Sequence, residues 1–273
     1  GMVDLKKLDK VAIVDGYDVI SEIIDHNIQV NKEKPKALAN WENIKANIES
    51  TFEPFATCPD LISIYQKKYD SNSDDIENLK KITNVLDRKG CNDSELFFTA
   101  TEKLHTLEPS AQSAYLMGSL YLGKENMSRA ATYLQQAADL FDEPENKIRA
   151  LNLLANIQFN QRSYSQARST AQKILQINPN YGKAYMLIGD LYAASAANCT
   201  EDDMGGKTVF WAAVDKYYKA KSVDPSVEAE ANQKIGQYSQ HFPVNEDLFF
   251  RDMQKGDSYI VGCWINEVTT VRP

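Results

Sequence analysis

The side chains in this sequence with most chemistry to offer are three histidines, four cysteines and several paired carboxylates, and their spacing argues against a catalytic centre. His26, His105 and His241 fall in three separate helical segments, and none has a metal-type neighbour. They read as solvated or helix-terminal residues, since a metal site needs several ligands converging. Asp74-Asp75 and Asp202-Asp203 lie at turns, where a carboxylate caps a helix or stays in water. Glu201-Asp202-Asp203 could hold a calcium ion with nearby carbonyls, but the alternating ligand spacing of an EF-hand is missing. There is no GxxxxGKS or GxxxxGKT, no strand followed by GxGxxG, no GxSxG and no HExxH. The expectation is a protein that is not an enzyme, with no cofactor and no metal.

Cys58, Cys91, Cys199 and Cys263 show no CxxC pair of the zinc or redox type. Four cysteines allow three pairings, and the sequence does not choose between reduced thiols and the disulfides of an exported protein. A Cys199–Cys263 bridge would strap the C-terminal tail to a loop near residue 199, contributing roughly 3–4 kcal/mol by loop closure.

The elements that position these groups read as helices. Hydrophobic residues make up 43% and charged residues 25% of the 273, and 12 Gly with 9 Pro are too few for a loop-rich β sandwich. The net charge of −8 repels phosphate backbones, which argues against nucleic acid as a partner. No apolar run approaches the roughly 18 residues that a membrane span needs. Gly1-Met2-Val3-Asp4 is no signal peptide; a glycine before methionine reads as the scar of a cleaved tag and says little about compartment.

Internal periodicity is the strongest signal. From Ile148 the chain runs IRALNLLANIQFNQRSYSQARSTAQKILQINPN, two helix-period stretches around a polar turn at 160–163, ending at Asn178-Pro179. A new segment starts at Tyr181-Gly182-Lys183. Small residues recur where two helices would cross closely: Gly118, Ala130 and Ala137, then Ala155 and Ala167, then Gly189, Ala213 and Ala220. Gly or Ala at a crossing lets helix axes approach to about 8–10 Å. These segments resemble tetratricopeptide repeats, whose period is about 34 residues. Tyr121, Tyr192, Tyr217, Pro179 and Pro225 fit the same pattern.

The resemblance implies an all-α, right-handed solenoid of helix hairpins. It divides the chain into an N-terminal helical region (1–74), repeats over 75–226 (75–110, 111–147, 148–181 and 182–226), and a capping helix and tail (227–273). The N-terminal region shows helical periodicity (Ile20, Ile23, Ile24, Ile28; Leu38, Trp41, Ile44, Ile48), and 227–240 reads as the closing helix. The last repeat carries about twelve extra residues near 197–207, and their acidic, Gly-containing composition predicts a projecting loop. Two β-prone runs, 259–265 and 268–271, predict either a hairpin packed on the repeats or an extended strap. Phe55-Ala56-Thr57-Cys58, 86–91 (LDRKGC) and 262–267 (GCWINE) together resemble a bacterial family of repeat proteins, many of them exported. That resemblance implies export and brings no activity with it.

In such a solenoid the first helix of each pair lines a concave groove. Positions offset by one or three from the packing residues Gly118, Ala155 and Gly189 are then Gln112, Tyr115, Ser119 and Leu122; Arg149, Asn152, Asn156 and Phe159; Lys183, Met186, Asp190 and Ala193. Asn152 and Asn156 stand one turn apart, and their amides can donate to and accept from an extended peptide backbone. Arg149 and Lys183 suit a carboxylate. Leu187 stands where the family's basic-and-asparagine clamp needs a second cation. The expected function is a non-catalytic scaffold binding a protein or peptide in this groove. Two alternatives are a self-assembling component of a cell-envelope complex and a carbohydrate-binding or hydrolytic protein using Tyr259 and Trp264.

Overall fold

The computed structural model of the chain describes residues 10–52, 57–200, 204 and 206–273. It divides into two compact units, 1–123 and 124–273.

The first unit holds α1 (Lys10–Val30), α2 (Pro35–Phe52), α3 (Cys58–Ser71), α4 (Ile76–Arg88), α5 (Glu95–Leu107) and α6 (Ala111–Gly123). Side-chain caps set the starts. The Asp75 carboxylate accepts from Asn78 N at 3.1 Å, and the Ser94 hydroxyl from Phe97 N at 3.2 Å, each satisfying a helix-end donor. Asp74, the other half of that carboxylate pair, meets Lys103 Nζ at 2.6 Å. The pair thus serves as cap and ion pair. Leu61, Tyr65, Leu79, Ile82, Leu86 and Phe97 form the core. A Cys58–Cys91 disulfide, Cα atoms 5.5 Å apart, ties the start of α3 to the loop after α4. Tyr17 of α1 stacks on Phe52 of α2 with ring centres 3.7 Å apart, and the Lys89 ammonium lies over both rings. Of the α1 stripe, Ile24 is buried whereas Ile20 and Ile23 are exposed.

His105 joins α5 to α6, its Nδ1 lying 2.9 Å from Ser113 Oγ. Burial holds its pKa below the ordinary histidine value. The unfolded chain therefore takes up a proton at higher pH than the folded one. The stability this histidine confers is present above the unfolded pKa, about 6.5, and is lost as pH falls through the folded value. The melting temperature should drop between about pH 7.5 and about pH 5.5, and His105→Gln should flatten that slope.

The second unit holds α7 (Met127–Leu140), α8 (Pro144–Asn160), α9 (Tyr164–Ile177), α10 (Gly182–Ser195), α11 (Val209–Val223), α12 (Glu228–Ser239) and α13 (Asn245–Phe249), then β1 (Ser258–Val261) and β2 (Glu267–Thr270). Each helix from α7 to α11 packs on its successor. Ala155, Ala167, Ala171, Ala213 and Ala220 are completely buried, which is what close helix crossings demand. At Gly189 the approach is closer still: a Cβ there would stand 2.5 Å from the Tyr217 ring. The fold is therefore all-α, built of successive hairpins, with a single two-stranded sheet among the described residues. The helix expected over 227–240 is α12, entered through a 3-10 turn at Pro225–Val227.

Among the described residues near 197–207, several turn inward where a projecting loop was expected. Cys199, Met204, Gly206 and Thr208 are all buried, and Met204 packs with Trp211, Leu248 and Val271 in a small apolar core. Residues 201–203, the acidic run weighed as a calcium site, and 205 lie outside the described residues. Gly206 (φ +82°) permits the inward fold, because a Cβ would strike Ala196 O. The polar composition concealed two inward-facing apolar groups whose partners come from far along the chain.

The tail is a hairpin. β1 and β2 pair antiparallel with Ser258 opposite Thr270 and Ile260 opposite Val268. Tyr259, Val261 and Thr269 face the helices, and Ile260 and Val268 face away. Cys263, in the connection, is bonded to Cys199.

Candidate peptide-binding faces

In the second unit, α8, α10 and α12 are joined side by side by polar contacts. The Asn152 amide of α8 donates to Tyr181 Oη, just before α10, at 2.8 Å. Asp190 of α10 pairs with Lys234 Nζ of α12 at 2.7 Å and accepts from Tyr217 Oη of α11 at the same distance. Burial pushes the Tyr217 phenol far above its ordinary pKa, and the Asp190 charge adds to this. That hydroxyl is a permanent donor.

The expected groove residues divide accordingly. Arg149, Asn156 and Lys183 are exposed, and Asn152 is half-buried with part of its amide committed to Tyr181. Together they give α8 and α10 a face of two cations and two amides. Met186 is corrected: at 4% exposure it belongs to the core. The buried stripe of α10 is unusually wide, running through Ala184, Met186, Ile188, Gly189, Leu191, Tyr192 and Ala193, because α9, α11 and the turn before α12 all pack on it. Ala193 is buried for the same reason. Asp190 is held by Lys234 and Tyr217 and acts as a link between helices. Phe159 is half-buried, its ring 6.1 Å from Tyr164 across its own hairpin turn.

Gln112, Tyr115, Ser119 and Leu122 lie on α6 in the first unit. Gln112 is exposed and the other three are half-buried. Gln112 lines a polar cleft of about 410 Å³ with Glu22 and Asp25 of α1 and Lys81, Asn84, Val85, Asp87 and Arg88 of α4. Asp25 is held at 2.9 Å from Lys45 Nζ and 3.2 Å from Arg88 Nη1. The α4 residues were missed because the expected 75–110 repeat lacks the small packing residue. With Thr83 in that place, Asn84 and Asp87 hold the offsets that Asn156 and Phe159 hold from Ala155.

Tyr259 and Trp264 form no open aromatic platform. Tyr259 lies edge-on to Trp211 at 5.5 Å, and Trp264 is wedged between Tyr164 and Tyr192. Among the described residues no three His, Cys, Asp or Glu side chains converge as a metal site, and no helix is long and apolar enough to cross a membrane.

A family model described as tetratricopeptide repeat matches residues 111–143 and 148–181. No curated protein sequence matches the chain significantly. Among solved structures, MamA is similar at 20% identity over 68% of this chain and 93% of its own, with a TM-score of 0.52. YrrB, described as a TPR protein with an unusual peptide-binding site, is similar at 20% identity over 74% of this chain and 92% of its own, with a TM-score of 0.48. PilF of Pseudomonas aeruginosa is 12% identical over 85% and 97%, with a TM-score of 0.42. The similarity to MamA is one of fold.

Proposed function

We propose that this chain, a tetratricopeptide-repeat protein, is a non-catalytic scaffold that holds an extended peptide or protein segment against α8 and α10. One observation carries the reading: Arg149, Asn152, Asn156 and Lys183 stand on adjoining first helices with three of the four exposed, while the tail bonds to Arg168 of α9, Tyr192 of α10 and Lys216 of α11. Side-chain amides one turn apart match the alternating donors and acceptors of an extended backbone, and the two cations suit acidic side chains or a terminal carboxylate. Two closed disulfides support an exported setting with oxidising conditions, and the net charge of −8 argues against a nucleic-acid ligand.

Peptides selected from a displayed random library on the full chain should bind Asn152→Ala/Asn156→Ala roughly tenfold more weakly, as expected for two lost hydrogen bonds. Equal affinity for both proteins would remove these helices from the reading. A second reading, a structural component of an envelope assembly, draws on the tail, where Phe249, Phe250, Ile260 and Val268 are between 62% and 77% exposed. A concentration-dependent oligomer in sedimentation would favour it over peptide capture.

A further inference from the structure

Repeat arrays ordinarily hold successive hairpins together through nearest-neighbour packing alone. Here a third party bonds to two hairpins at once. On α9, the Arg168 guanidinium donates to Ile265 O at 2.6 Å and lies over the Trp264 ring, 5.0 Å from its centre. Trp264 fills the gap between Tyr164 of α9 and Tyr192 of α10, with ring centres 6.1 and 5.4 Å away. Its indole N–H is buried without an acceptor among the described residues, so the ring is held by its faces. Glu267 accepts from Tyr192 Oη of α10 and pairs with Lys216 Nζ of α11, both at 2.5 Å. Asp215 of α11 accepts from Thr269 and pairs with Arg272 at 2.8 Å. The Cys199–Cys263 disulfide closes the connection onto the residues between α10 and α11.

We infer that Cys199 and Met204, between α10 and α11, and the tail hairpin form one device, a brace that fixes the angle between the α8/α9 hairpin and the α10/α11 hairpin. The insertion supplies the anchor, Cys199 and Met204, and the tail reaches from it across α10 and α11 to α9. A change of angle must slide α9 against α10, and so must break the Arg168–Ile265 bond and open the slot that holds Trp264. The brace bonds to α9, α11 and Tyr192 of α10. Its action falls on the exposed residues of α8 and α10, where it sets the separation of Asn156 from Lys183. Preorganising that separation removes an ordering cost from any ligand that spans α8 and α10. The brace itself stands whatever that face binds.

Amide hydrogen exchange of the full chain tests it with Trp264→Ala and, should that variant fold poorly, Arg168→Gln combined with Cys263→Ser. Amides of α9 and α10 should exchange roughly tenfold faster than in the unaltered chain, while α12, which lies outside the two braced hairpins, keeps its rate. Unchanged exchange in α9 and α10 would overturn the brace. Equal acceleration across α7–α12 would also overturn it, because the tail would then act as a general stabiliser without any selective hold on one hairpin angle. Neither result depends on peptide affinity, so this test and that of the binding face fail separately.

Discussion

Trp211→Ala should destabilise the second unit by about 3–5 kcal/mol, the range for truncating a large buried aromatic residue. Trp211 is the largest fully buried side chain, and its surroundings come from three stretches: Met204 of the insertion, Leu248 of α13 and Val271 after β2. Phe242, Met253 and Tyr259 close the rim. The indole N–H donates to Arg272 O at 2.6 Å, and Arg272 Nη2 returns a bond to Trp211 O at 2.8 Å. Alanine would leave a large hole, orphan one carbonyl and free both the insertion and the tail. Trp211→Phe keeps most of the apolar volume but loses the N–H, so its cost should be smaller, nearer 1–3 kcal/mol. Urea unfolding followed by far-ultraviolet dichroism measures both. A loss under about 1 kcal/mol for the alanine variant would mean that the tail contributes little to this unit.

Two glycines should respond to the same substitution with opposite signs. Gly236 lies inside α12 with open space where a Cβ would go. Gly236→Ala should stabilise by about 0.5–1 kcal/mol through helix propensity alone. Gly189→Ala makes the same backbone gain inside α10, but its methyl would sit 2.5 Å from the Tyr217 ring. That ring cannot step aside. Its hydroxyl is bonded to Asp190, and its face stacks on Tyr238 with ring centres 5.8 Å apart. Overpacking at such a point costs about 1–3 kcal/mol, enough to overturn the propensity gain. The difference between the two midpoints cancels most of the unfolded-state effect common to both. Gly189→Ala found as stabilising as Gly236→Ala would refute the close crossing of α10 and α11 on which the hairpin packing rests.

The helices were legible because their signals are local. Small residues at Ala155, Gly189 and Ala213, the capping side chains of Asp75 and Ser94, and the closing prolines Pro179 and Pro225 each act within a few residues of themselves. Helical spacing also placed Arg149, Asn152, Asn156 and Lys183 on one side of their helices. It failed at Met186, because period alone gives the direction of a buried stripe and not its width; three neighbours packing on α10 widened it. The insertion failed for a different reason. Its acidic and glycine residues dominate its composition, but Cys199 and Met204 decide where it goes, and Cys263, Leu248 and Val271 lie 64, 44 and 67 positions further on. No local pattern carries the pairing of Met204 with Leu248 and Val271, whereas the Cys199–Cys263 bridge was among the expectations and is formed. The cysteines repeat that lesson: their number allowed three connectivities, and only the fold selects Cys58 with Cys91.

The acceptor of the Trp211 indole lies 61 residues downstream of it. On the ribosome, α11 is therefore made long before the residues that seal it, and during that interval its largest aromatic side chain faces water. A chain cut short after α12 would keep its helix hairpins while leaving Trp211 without Leu248, Val271 and the Arg272 carbonyl that seal it.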